Sequence, residues 1–272
     1  MKIGMIDYDL NEWHAENYPE LFRQFGGQAE IAYVYAIIDG AEKTRQQWAD
    51  EHGVKLCGTI EEIVALSDGL IILSPDNPEY HPILSEQALS SGKRVFIDKT
   101  FSTDYAAAKA MLDRADSHGT PCYSASALCF ADEYKSLIGR VDALSAIGYP
   151  PYSNYSVHQI DPILTIMGEK AVCVWTDDGK VINILFKSGR TADFEMVQHG
   201  YSMDVTCGEE KFSVSLEKDF WPNCIREMSR FFLTGDLPVS HEQTLEAMAI
   251  REAGMKAMKA PGRKIYLEDI RG

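Results

Sequence analysis

Through the first ~125 residues, short apolar runs alternate with helix-length segments of mixed polarity, the spacing that βαβ units produce. Apolar runs at residues 2–6, 31–38, 69–73, 94–97 and 121–124 predict strands. Between them, residues 13–25 stop at Gly26-Gly27, 44–52 at Gly53, 82–90 at Gly92 and 105–117 at Gly119, where a helix C-terminus favours glycine. Strands joined by helices in this way predict a doubly wound parallel sheet. Ligands of such sheets sit beyond the carboxyl ends of the strands, so the segments after Ile6, Ile38, Leu73 and Ile97 are expected to share one crevice.

From Ala171 the period changes to two. Runs at 171–176, 181–187, 191–198, 203–207 and 211–216, with Asp177-Asp178-Gly179 and Ser188-Gly189 as turns, predict an antiparallel meander. A helix is expected over 223–233. A longer one opens with Ser240 and Gln243 spaced as a capping box and closes near Pro261-Gly262, and residues 263–267 return as a last strand. Met248, Met255 and Met258 on the long helix read as core. The fold class is therefore α/β: a parallel-sheet domain over 1–125, then an α+β domain with an antiparallel sheet over 126–272.

Composition narrows the partners. With 26 Lys plus Arg against 41 Asp plus Glu, the net charge of -15 repels nucleic acid phosphates and anionic membranes, so neither is expected as a partner. The six cysteines form no CxxC pair, which suits reduced thiols in the cytoplasm. Neither a signal-peptide pattern nor an apolar stretch of ~18 residues is present, and a cytoplasmic protein is expected.

Two stretches carry chemistry. One is Gly69-Leu-Ile-Ile-Leu-Ser-Pro-Asp-Asn-Pro-Glu-Tyr-His81, continuing through Gln87-Ala-Leu-Ser-Ser-Gly-Lys-Arg-Val-Phe-Ile-Asp98-Lys99-Thr100. The other is Val157-His158-Gln-Ile-Asp161-Pro-Ile-Leu-Thr-Ile-Met-Gly168. The first resembles the strand, Pro-containing loop, Ala-Leu-x-x-Gly helix end and Glu-Lys-Pro turn of the Gfo/Idh/MocA oxidoreductases, and the second resembles their His-x-x-Asp helix. The resemblance extends to the Gly-Arg-Lys-Ile-Tyr-Leu ending. It implies a Rossmann-like first domain, a second domain for substrate and oligomerisation, and a homo-oligomer formed through the C-terminal sheet. A sugar, inositol or related polyol as substrate and NAD or NADP as cofactor follow from the same likeness. Lys99 is implied to hold the substrate hydroxyl, His158 to act as base over the nicotinamide, and Asn154 and Asp161 to accompany them. Both roles make chemical sense, since oxidising an alcohol by hydride transfer requires the hydroxyl proton to leave. Implied cofactor contacts are Leu10, Asn11, Asp39, Ser74, Pro75, Asn77, His81 and Asp98.

This sequence departs from the pattern in several places. Asn154 replaces the aspartate that usually precedes the histidine by four residues, and it cannot stabilise imidazolium by charge. The Glu-Lys-Pro turn is Asp98-Lys99-Thr100, the Pro75 to His81 loop is longer, and the segment joining the domains is shorter. Most consequential, the glycines of the Gly-x-Gly-x-x-Gly phosphate loop are replaced by Asp7, Asp9 and Glu12. Weak dinucleotide binding is expected, unless the acids turn outward or Asp9 or Asn11 caps the following helix. Two other readings stay open. One is a non-catalytic ligand-binding or assembly protein on the same fold. The other is a haloacid-dehalogenase-type phosphatase using Asp7 and Asp9, with Ser74, Lys99 and Asp177-Asp178 as its later motifs.

Overall fold

A computed structural model describes residues 1–197, 200–216 and 219–272. The chain forms two compact units, one of residues 1–124 with 221–241 and one of residues 125–220 with 242–272. Residues 221–241 thus join the parallel-sheet unit, whereas two consecutive domains, 1–125 and 126–272, would place them in the second.

The first unit carries β1 (Lys2–Asp7), α1 (Trp13–Phe25), β2 (Glu30–Ala36), α2 (Arg45–His52), β3 (Lys55–Leu56), α3 (Ile60–Leu66) and β4 (Gly69–Ile72). After these come α4 (His81–Leu89), β5 (Arg94–Ile97), α5 (Tyr105–Ser117) and β6 (Cys122–Tyr123). The sheet is parallel throughout in the order β3-β2-β1-β4-β5-β6, which reverses direction between β1 and β4. β1, β4 and β5 are buried on both faces, which is why they read as unbroken apolar runs. The expected helices at 13–25 and 105–117 match α1 and α5 residue for residue. The two-residue β3 and the following α3 had no counterpart in the sequence pattern.

A later helix covers part of this unit. Residues Trp221–Thr234 bury Cys224, Ile225, Met228, Phe231 and Phe232, and Ser229 Oγ donates to Gly26 O at 2.5 Å. Gly69 admits this helix, since a Cβ there would stand 2.7 Å from Phe232 Cδ1.

In the second unit a 3₁₀ turn, Ala127–Phe130, is followed by α6 (Asp132–Lys135), β7 (Ala143–Gly148), α7 (Tyr152–Tyr155) and α8 (Val157–Met167). The meander comprises β8 (Ala171–Trp175), β9 (Val181–Phe186), β10 (Thr191–Met196), β11 (Ser202–Cys207) and β12 (Glu210–Ser215). The expected run to Gln198 ends on a residue outside those described. The helix His241–Met258, from Glu242 onward, and the short strand β13 (Ile265–Tyr266) complete the unit. The sheet order is β12-β11-β7-β10-β9-β8-β13. It is mixed rather than wholly antiparallel, because β7 enters its centre parallel to β10 and antiparallel to β11. β7 reads Ala-Leu-Ser-Ala-Ile-Gly, and small residues of low strand tendency hid it from the sequence pattern.

Candidate functional site

At the carboxyl end of β1, Asp7 is buried. Its Oδ1 accepts from Tyr8 N at 2.6 Å and from Ser74 Oγ at 3.1 Å, and Tyr8 N also reaches Ser74 Oγ at 3.1 Å. Ser74, the second residue after β4, takes φ 79°, a left-handed backbone that costs a non-glycine residue energy and that this pair of bonds holds in place. Asp7 Oδ2 is buried with no hydrogen-bond partner. Burial, reinforced by the charge of Glu12, pushes the Asp7 carboxyl well above the usual carboxylate range. Asp7, Tyr8, Asp9, Glu12, Ser74, Pro75, Asp76 and Asn77 line a cavity of about 200 Å³.

α1 starts beside this cavity, and its N-cap is Glu12 rather than Asp9 or Asn11. The Glu12 carboxylate bends back onto its own helix and accepts from Ala15 N and His14 N, each at 2.6 Å. His14 Nδ1 bonds the same carboxylate at 3.0 Å, and its Nε2 lies 3.8 Å from Asp98 Oδ2. Burial pulls the His14 imidazole down, but Asp98 and Glu12 together outweigh it and raise His14 above its ordinary value. Trp221 lies against both Trp13 and His14, with ring centroids 4.5 and 5.6 Å away. His14 escaped the sequence reading. Its only signal there is a titratable side chain in the first turn after the rewritten loop.

At the end of β5, Asp98 and Lys99 are both buried. Lys99 Nζ donates to Pro75 O at 3.4 Å, so Lys99, Asp98, Ser74, Pro75 and Asn77 gather at neighbouring strand ends. The other implied cofactor residues do different work. Leu10 is buried. Asn11 ties the β2–α2 loop down, its Oδ1 accepting from Glu42 N (3.1 Å) and Lys43 N (2.8 Å) while its Nδ2 donates to Lys43 O (3.2 Å). Gly40 must be small here, since a Cβ would stand 1.7 Å from Asn11 Nδ2. Asp39 is exposed and accepts from Arg45 N (2.9 Å) and Arg45 Nε (3.1 Å). His81 is fully buried and its Nδ1 bonds Phe101 O at 3.0 Å, which fixes the backbone after Lys99.

In the second unit, His158 and Asp161 converge on Ser126, which the sequence reading missed because nothing distinguishes a lone serine after a strand. Ser126 Oγ meets His158 Nδ1 at 2.7 Å, and Ser126 N donates to Asp161 Oδ2 at 2.7 Å. Asp161 retains some exposure as a residue, but dense packing around its carboxyl pushes it up to about 7. Tyr155 and Tyr201 flank the His158 ring, each 5.8 Å away between centroids. Asn154 accepts from Ser153 Oγ at 3.1 Å. Asp178 closes the β8–β9 hairpin, its Oδ1 accepting from Lys180 N and Val181 N at 2.8 and 3.1 Å, so its carboxylate serves a turn rather than a phosphatase motif. Among the described residues no group of His, Cys, Asp and Glu side chains is placed to hold a metal ion, and no helix is long and apolar enough to cross a membrane.

Residues 3–126 match an oxidoreductase family, Gfo/Idh/MocA, described by its NAD-binding Rossmann fold. Over those residues the chain is similar to the Gfo/Idh/MocA family. Its fold is similar over 99% of the chain to all of a probable dehydrogenase from Thermotoga maritima (TM-score 0.83, 18% identity). It is similar over 98% to 99% of a scyllo-inositol dehydrogenase from Lactobacillus casei, solved with NAD(H) and scyllo-inositol (0.76, 15%). It is also similar over 96% to 97% of a UDP-N-acetylglucosamine 3-dehydrogenase from Acidithiobacillus ferrooxidans (0.74, 15%). No curated protein matches the sequence significantly.

The NAD-binding Rossmann fold of the matched family implies a dinucleotide whose pyrophosphate rests on the α1 N-terminus. The residues there do not fit it. The amides of His14 and Ala15 already serve the Glu12 carboxylate. A phosphate charge ~4 Å from that carboxylate is opposed by up to ~4 kcal/mol at an effective dielectric of ~20, less solvent screening. The about 200 Å³ of open space is also below the ~300–1,000 Å³ of pockets that take drug-sized ligands, and a dinucleotide is larger than those.

Proposed function

We propose that this protein binds a sugar, inositol or related polyol at the carboxyl edge of its parallel sheet. The observation that carries the reading is the buried Asp98-Lys99 pair at the end of β5, with Asp98 Oδ2 lacking a hydrogen-bond partner. A hydroxyl accepts from an ammonium and donates to a carboxylate at once, so a polyhydroxylated ligand suits this pair. The scyllo-inositol named with the Lactobacillus casei structure supports the same class. Calorimetric titration with myo-inositol and with glucose tests it. Saturable binding that weakens at least 100-fold in a folded Lys99→Met variant is expected. Failure of both polyols, or equal binding by the variant, would refute it.

A second reading, NAD(P)-dependent oxidation of the polyol CH–OH group, is favoured by the likeness of residues 3–126 to an NAD-binding oxidoreductase family and by the short Ser126–His158 bond, which orients an imidazole for proton transfer. Polyol-dependent reduction of NAD or NADP would decide for it. We also expect a second copy on the open face of the seven-stranded sheet. A sedimenting species of only about 30.4 kDa at micromolar concentration would count against that.

A further inference from the structure

We infer that the dinucleotide groove of the first unit is closed from within by the chain's own side chains, so that NAD and NADP are refused and ligands without phosphate are admitted. The inference deepens the polyol reading by excluding a phosphate-bearing co-ligand from the same edge, and it rests on three separate closures. At the pyrophosphate position the Glu12 carboxylate takes the place of the anion. It accepts from His14 N and Ala15 N at 2.6 Å each and is clamped by His14 Nδ1 at 3.0 Å. Those are the donors a helix N-terminus offers to phosphate, and they are already satisfied.

At the ribose position, past the end of β2, Asp39 is paired with Arg45, which approaches both its backbone and its side chain. Both bonds fall on Asp39 Oδ1, which is thereby withdrawn from a ribose hydroxyl and leaves only Oδ2 to accept one. Along the path joining these positions, Asn11 draws the 40–43 segment inward through three hydrogen bonds, with Gly40 packed against its side chain. The first closure answers charge with charge, the second uses up an acceptor and the third narrows the passage.

Electrostatics reinforce the geometry. Asp7, Asp9, Glu12 and Asp76 all line the remaining cavity, and no Lys, Arg or His side chain lines it with them. The buried, unpartnered Oδ2 of Asp7 belongs to a carboxyl that burial already biases toward the protonated form. In that form Asp7 adds no charge to the repulsion of phosphate, which comes from Asp9, Glu12 and Asp76.

Fluorescence titration with NADH and NADPH, monitored alongside myo-inositol calorimetry on the same samples, tests the inference. The wild type is expected to show no saturation below ~1 mM nucleotide, a range in which standard binding energy falls to ~4 kcal/mol. Glu12→Gly is expected to bind NADH at least tenfold more tightly, and the combined Asp7→Gly, Asp9→Gly, Glu12→Gly variant more tightly still. Glu12→Gln, which keeps the cap oxygen and removes the charge, is expected to gain severalfold and serves if the glycine variants do not fold. Micromolar nucleotide binding by the wild type, or no gain in any folded variant, overturns the inference. Loss of myo-inositol binding in the wild type instead strikes the polyol reading, and the two failures are read on separate ligands.

Discussion

Two groups of residues, at the positions to which the family resemblance points, have met different fates. Around the first loop, Glu12, Asn11 and Asp39 turn their polar atoms onto the chain itself, and the edge is knitted by short internal bonds. Around Asp98, and separately around Asp161, buried polar groups stay under-satisfied or are held at an energetic disadvantage. An edge that bonds to itself contributes to stability, whereas a functional centre typically gives up stability for chemistry. Substitutions should therefore destabilise the first group and stabilise, or leave unchanged, the second.

The largest effect is expected at Asp161. Its carboxyl is raised from 3.8 to about 7 in the folded protein, so its contribution to stability is complete below pH 3.8 and is lost as pH rises through 7. Asp161→Asn keeps an acceptor for Ser126 N and removes the titration. Denaturant unfolding should show the variant gaining on the wild type as pH climbs from 4 to 8, by up to roughly 4 kcal/mol. A constant difference between the two proteins across that range would break the contrast at its stronger end.

Ser74→Val comes next and acts in the opposite direction. A β-branched side chain at φ 79° adds strain, and the bonds to Asp7 and Tyr8 N are lost with the hydroxyl. A loss of about 3 kcal/mol is expected. Ser74→Gly relieves the strain while losing the same bonds, and should fall within ~1 kcal/mol of the wild type.

Gly40→Ala is the milder test of the self-bonded edge. The added methyl displaces the Asn11 side chain from the amides of Glu42 and Lys43. About 1–2 kcal/mol should be lost, with little further loss when Asn11→Ala is added, because both changes remove the same bonds. Additive losses would show that Gly40 and Asn11 act independently.

Much of this was legible in the sequence for physical reasons that can be named. α1 could be read because its amphipathic repeat ends at Gly26-Gly27, and the Asp98-Lys99 turn because it closes an apolar strand at a recognisable spacing. Charge alone flagged the loop of Asp7, Asp9 and Glu12 as hostile to phosphate. What could not be read was that a glutamate side chain is long enough to fold back over its own helix N-terminus. The role of Ser126, a donor to one residue and a partner to another more than 30 positions on, has no local signature. β7 stayed hidden because Ala, Ser and Gly carry little strand signal. Residues 221–241 join the parallel-sheet unit without any sign in their own pattern, since periodicity tells which face of a helix is buried and not which partner buries it.

The smallest expected effect is on stability at Glu12, and it discriminates most finely. As the N-cap of α1, Glu12 supplies two acceptor oxygens to orphan amides, so Glu12→Ala should cost about 1 kcal/mol and Glu12→Gly only a few tenths. The alanine cost should also depend on pH through His14. That imidazole is raised in the folded state by Asp98 and Glu12 against the opposing effect of burial. Its stabilising contribution is therefore full below its unfolded value near 6.5 and is lost as pH rises through its higher folded value. Removing Glu12 weakens that contribution, so the alanine variant should fall further behind the wild type at pH 5.5 than at pH 8.5. An NMR titration should show the His14 resonance moving to lower pKa in the variant. If the cost is the same at both pH values and the His14 titration stays where it is, the carboxylate acts on the helix only as a cap and the His14 clamp adds nothing to it. If Glu12→Ala costs nothing at either pH as well, Glu12 is not seated on α1 in solution, and the contrast between the two groups loses its first member.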